Sequence, residues 1–150
     1  MALVKQEWVG RELARVEARV DRPRLRAFAR AIGLGDPVYH EVEAARAAGY
    51  RDLPAPPTFL FCLEMLDAPN PFHFVQDLGI DIGKILHGEQ QFTYVVPVCA
   101  GDRLLFRARV SEVYEKKGGV LGFVAQDSEV TNERAEVVAR LRRVLVVRAA

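Results

Sequence analysis

In the stretch GLGDPVYHEVEAARAAGY, residues 33–50, three chemically capable side chains crowd together: Asp36, Tyr39 and His40. A carboxylate and an imidazole held around one small molecule can move a proton from carbon and give another to a leaving hydroxyl. Such general acid–base work is worth ~10²–10⁴-fold in rate. The competing reading is mechanical. Asp36 opens a turn, Tyr39 packs against a helix, and His40 is a polar residue at the start of a short helix, with a substitute base as its functional alternative.

Other residues carry the same double reading. Glu64 is the only charge in FLFCLEML, and a carboxylate in apolar surroundings is costly unless paired or neutralised. The favoured reading lets Glu64 reach solvent, or an arginine at a subunit contact. His87, Glu89 and Gln90, in HGEQ, open a strand beside a glycine, where a bulge with outward polar side chains accounts for them. His73 reads as a solvated loop histidine. Cys62 and Cys99 lie far apart with no metal-ligand spacing and read as buried thiols. The arginines of residues 103–109 and 140–143 read as a solvated face, with a phosphate-binding role as the lesser alternative.

The elements that position these residues follow from periodicity. ARVEARVD, residues 14–21, alternates apolar and charged residues and predicts a half-buried strand. Asp21 caps a helix with Pro23 in its first turn, where a missing N–H does no harm. Leu25, Phe28, Ala29 and Ile32 form its buried stripe. A short second helix over residues 41–48 ends at Gly49. Pro56, Pro57, Thr58 and Phe59 begin a segment with almost no polar face, which predicts a buried helix over residues 59–66. Residues 67–83 read as a loop or flap. Four alternating segments follow, with hairpin turns at EKKGG and at residues 132–135. Adjacent Arg142 and Arg143 break the alternation and predict a bulge or an edge.

Strand, helices, buried helix, then hairpins: the economical solution is α+β, an antiparallel sheet wrapped around one buried central helix, the hot-dog arrangement. At 150 residues a single domain over residues 1–150 is expected. Its free sheet edge favours pairing with a second subunit. Net charge is +1, with 21 basic against 20 acidic side chains, which gives no reason to expect nucleic acid or an anionic membrane as partner. No apolar run approaches the ~18 residues of a membrane span. The first residues lack the apolar core of a signal peptide, so a cytoplasmic protein is expected.

Four pieces in order, FARAIGLGDPVYHEVEAARAAGY, APPTF, HGEQQFTYVVPVCAGDRL and EVTNERAEVVARLRR, span most of the chain. Together they resemble the MaoC-like dehydratase family, and within it the group of N-terminal or FAS1-like dehydratase domains. The resemblance implies a hot-dog fold, a dimeric unit and an acyl thioester of coenzyme A or acyl carrier protein as ligand, without metal or cofactor. It implies reversible hydration of 2-enoyl thioesters to the (3R)-hydroxyacyl form. Active members carry Asp, any residue, Asn, Pro, an aliphatic residue and His.

Aligned on Pro37, this chain has Asp36 in the Asn place and Val38 in the aliphatic place. Tyr39 stands where the His belongs and Leu34 where the Asp belongs. His40 is one residue late, which at a helix start changes direction by ~100°. The chain is thus similar to the degenerate, substrate-holding subunit of heterodimeric (3R)-hydroxyacyl dehydratases, whose partner bears the acid and base. By the same resemblance Tyr39, in the place of the His, and His40, one residue beyond it, are the candidate catalytic residues. Asp36, Pro56, Pro57, Thr58, Phe59 and His87 are the expected substrate-binding residues, the free amides of the helix start facing the thioester carbonyl. Some hot-dog thioesterases use a helix carboxylate as base or nucleophile, which makes Glu64 the alternative, with a non-catalytic acyl-binding module as the third reading.

Overall fold

In the computed structural model, which describes residues 2–149, the first strand and helix form where the pattern requires. Strand β1 (Val16–Arg19) buries Val16 and Ala18 and exposes Glu17 and Arg19. Helix α1 (Arg22–Ala31) is capped by Asp21, whose carboxylate accepts from the Arg24 amide at 2.9 Å. Leu25 and Ala29 are fully buried. Ile32 does not complete the stripe: the helix ends at Ala31, and Ile32 stays 48% exposed.

A 3-10 turn (Pro37–Tyr39) leads into α2 (Val42–Ala47). Beyond α2, Gly49 adopts φ +94°, the left-handed conformation that closes a helix end at little cost in glycine. Helix α3 (Phe59–Asp67) follows. The expected flap is partly helical: α4 (His73–Asp77) and a 3-10 turn (Ile82–Lys84) interrupt it. His73 therefore sits on a helix, 3.6 Å from Asp77 one turn on.

Strands β2 (Ile85–Tyr94), β3 (Arg103–Lys116), β4 (Leu121–Thr131) and β5 (Val137–Arg148) complete an antiparallel sheet of order β1-β3-β4-β5-β2. The sheet curls around α3, the hot-dog arrangement. Phe59, Leu60 and Leu63 point from the helix into a core shared with Val16, Phe106, Val130 and Leu141. Full burial of each such side chain stabilises the fold by about 1.5–3 kcal/mol. The helix is not enclosed all round: Leu66 is 66% exposed, and Phe61, Cys62 and Met65 are half-buried. One sheet covers one side of a helix, and the apolar residues on the other side are left over.

Neither the bulge nor the edge expected at Arg142 and Arg143 is there. Both sit in regular pairing between β4 and β2, Arg142 opposite Asp127 and Gln91, Arg143 opposite Gln126 and Gln90. Alternation sends them to opposite faces. Arg142 meets Asp127 at 3.0 Å and Glu112 at 2.9 Å, whereas Arg143 lies inside, against α3. The register break on this side falls between His87 and Glu89. Gly88 is required there by close approach, since a Cβ would lie 2.8 Å from Val146 Cγ2 and 3.2 Å from the Val144 carbonyl oxygen.

Candidate functional site

The segment from Gly33 to His40 is held by its own hydrogen bonds. The Leu34 amide donates to the Ala29 carbonyl at 2.8 Å, which turns the chain off α1. The Asp36 carboxylate accepts from the Val38 amide at 3.0 Å and so caps the 3-10 turn. His40 turns back on the loop, with Nε2 2.6 Å from the Leu34 carbonyl oxygen, while its own carbonyl accepts from Arg26 Nε at 2.8 Å. A ring nitrogen on a backbone carbonyl is a donor, so this arrangement holds the loop and keeps that nitrogen from acting as a base.

Tyr39 points elsewhere. With Tyr50, Pro57, Tyr94, Val96 and Val98 it lines a cavity of about 260 Å³. Burial raises the Tyr39 phenol above its ordinary pKa, with Tyr50 and Asp36 adding to the effect. At neutral pH it is a neutral hydroxyl that can donate to a carbonyl but holds no charge with which to take a proton.

The motif loop and the start of α3 meet in this cavity, through Tyr39 and Pro57. Pro56 is buried; Pro57 and Thr58 are exposed, and the Thr58 side chain does not cap the helix. Phe59 turns away into the core, 1% exposed and edge-on to Phe28 at 5.2 Å between ring centres. Asp36, His40 and His87 are not among the walls of the cavity. His87 lies on the exposed strand β2, its ring 4.9 Å from that of Phe61 and its Nε2 3.1 Å from the Glu89 carbonyl oxygen.

A second cavity, of about 410 Å³, opens beneath the other half of α3, and Glu64 and Arg143 face into it. The sequence reading favoured a Glu64 that reaches solvent or an arginine at a subunit contact; the residue is instead buried, and the arginine nearby belongs to the same chain. Burial raises its carboxyl pKa, and the attraction of Arg143 offsets part of that rise. Arg143, expected on a solvated face with the other arginines of residues 140–143, is instead turned inward to this cavity. Its signal was the pair of adjacent arginines in a strand, since alternation forces one of them inward.

Among known proteins, the family described as FAS1-like, dehydratase domain region matches residues 7–141. The UPF0336 protein of Streptomyces avermitilis is 39% identical over 148 residues, covering 97% of this chain and 95% of that protein. A chain of the C-terminally truncated HadBC (3R)-hydroxyacyl-ACP dehydratase complex of Mycobacterium tuberculosis superposes with a TM-score of 0.80 at 28% identity, over 95% of this chain and 99% of that one. A MaoC-like dehydratase gives a TM-score of 0.84 at 25% identity, over 99% of this chain but 44% of that longer one.

Proposed function

The chain belongs to the FAS1-like dehydratase domain family, and from that membership we propose that it binds acyl thioesters as the substrate-holding half of a (3R)-hydroxyacyl dehydratase or 2-enoyl hydratase. One observation carries the reading: the cavity where the motif loop meets the helix start presents Tyr39 and no carboxylate–imidazole pair. Leu34 supplies no acid, and His40 is engaged with the Leu34 backbone.

What this chain offers a thioester is binding and polarisation. The Phe59 amide is taken by the Pro56 carbonyl at 2.9 Å, but the next amides of the first turn of α3 have no helical acceptor, and the neutral Tyr39 hydroxyl is a donor at the Tyr39–Pro57 cavity. Both suit a carbonyl oxygen that gains negative charge as the C2 proton leaves. The proton transfers belong to a second subunit that carries the intact Asp and His. The dehydratase of similar fold from Mycobacterium tuberculosis is itself a complex, which supports a dimeric arrangement here. Among the described residues strand β2 pairs only with β5, which leaves its other edge free. Leu86, Tyr94, Val95 and Val96 are exposed on and just beyond it. The ligand is a coenzyme A or acyl carrier protein thioester, and residues 1–150 act as one hot-dog domain.

Glu64 as a thioesterase base fits less well. It lies six residues, roughly 9 Å, along α3 from Thr58, and it faces a different cavity from the helix start.

The test is hydration of crotonyl-CoA and longer enoyl thioesters by the purified chain, alone and co-expressed with a small subunit that bears Asp–x–Asn–Pro–x–His. Alone, turnover should stay well below ~1 s⁻¹, the low end of ordinary enzymes; together, the complex should be active. Ordinary turnover by the chain alone would sink the reading.

A further inference from the structure

Beneath the C-terminal half of α3 lies a mostly apolar cavity of about 410 Å³ that carries polar groups with unused bonding capacity. Glu64 is 9% exposed, and among the described residues its carboxylate has no hydrogen-bond partner and no ion pair. The Arg143 guanidinium gives two nitrogens to Gln126 Oε1, at 3.0 and 2.6 Å, and its third meets only Met65 Sδ at 3.6 Å. The rings of Phe61 and Phe74 flank it, 5.9 and 5.1 Å away. Gln90 and Gln126 neighbour Arg143 on the two adjoining strands, and Gln90 Oε1 and Gln126 Nε2 are both buried without a partner.

Folding does not call for this arrangement. A carboxylate at 9% exposure without hydrogen bonds is destabilising. Burial raises the Glu64 pKa and lowers that of Arg143, each against the pull of the other. Of the other ionisable walls, His73 is engaged with Asp77 and Arg15 is exposed.

Glu64 and Arg143 face the same space without touching. A hydroxyl between them can donate to the carboxylate and accept from the guanidinium at once. A carboxylate or an ammonium group there would bring a further charge into a largely buried space, at a desolvation cost that a neutral hydroxyl does not carry.

We propose that this cavity is the far end of the acyl site and takes an aliphatic chain that bears a hydroxyl, held between Glu64 and Arg143. The inference rests on the acyl-thioester reading. Helix α3 runs from one cavity to the other, with Pro57 just before its start lining the first and Glu64 and Met65 lining the second, and roughly 9 Å separates Thr58 from Glu64 along it. A medium-length chain spans that distance.

The experiment is titration calorimetry of the full chain with octanoyl-CoA, ω-hydroxyoctanoyl-CoA and its ω-carboxy counterpart, with the decanoyl series alongside. The hydroxylated chain should bind about tenfold more tightly than the plain one, the scale of a hydrogen bond to a charged group. In Glu64→Leu the preference should vanish while the plain chain binds as well or better. Should that variant not fold, the comparison within the wild-type protein still decides. Equal affinity for plain and hydroxylated chains, a preference for the carboxylated one, or a preference that survives Glu64→Leu would overturn the inference and leave the acyl-thioester reading standing. Failure of every thioester to bind would overturn both.

Discussion

The imidazole of His40 closes on the backbone of Leu34, its Nε2 2.6 Å from the carbonyl oxygen. The residue nearest in type to a catalytic base is therefore tied to the backbone of its own loop, and in the proposed alignment Leu34 takes the acid's place. His40→Ala should destabilise the chain by about 1 kcal/mol, the net worth of a hydrogen bond. It should not lower turnover in the two-subunit complex once both proteins are folded. Urea unfolding and the enoyl-CoA hydration assay read the two effects separately.

Tyr39→His should keep the fold, because Tyr39 is only half-buried at the edge of a cavity. It should restore little hydration, since Leu34 still supplies no carboxylate. Leu34→Asp combined with Tyr39→His should exceed either single variant in rate on crotonyl-CoA. A single variant as fast as the pair would contradict the assignment of the two positions.

The two sides of α3 should respond unequally to truncation. Leu63 is fully buried, so Leu63→Ala should cost about 2–5 kcal/mol. Leu66 is 66% exposed, and Leu66→Ala in the isolated chain should stay within about 0.5 kcal/mol. Thermal melts of the two variants against wild type give the comparison directly.

Glu64 makes stability depend on pH in a defined direction. Burial outweighs the pull of Arg143, so the folded state holds this proton above the ordinary value of 4.5. A carboxyl raised in the fold contributes stability that is complete below its ordinary pKa and is lost as pH rises through the folded one. Glu64→Gln removes that dependence. Measured from about pH 4 to about pH 8, the stability difference should move in favour of the variant as pH rises. A difference that stays flat, or moves toward wild type, would refute the burial argument.

Gly88→Ala should be destabilising by about 1–3 kcal/mol, the usual cost of forcing atoms into a packed place. The added methyl meets Val146 and the carbonyl oxygen of Val144, and backbone on a neighbouring strand has little room to move. Hydrogen exchange along β2 and β5 should accelerate in the variant.

Local chemistry made much of the fold legible from the sequence. Asp21 three residues before Arg24 is a cap wherever the helix lies, and the alternation of β1 and of the late strands needs no partner to be recognised. The identities of Leu34 and Tyr39 were equally plain, but only the structure puts Tyr39 in one cavity with Pro57, just before the start of α3. Ile32 and Leu66 misled because periodicity states which residues could face a core, not whether another layer covers them.

Tertiary structure alone decided the polar cavity. Sequence alternation places Arg142 and Arg143 on opposite faces of β5, but either could have been the outward one. Register with β4 set the choice by placing Asp127 opposite Arg142 and Gln126 opposite Arg143. Curling of the sheet then brought Arg143 under α3, beside a glutamate 79 positions earlier in the chain. That meeting depends on strand pairing and helix position together, and neither is encoded in any short segment.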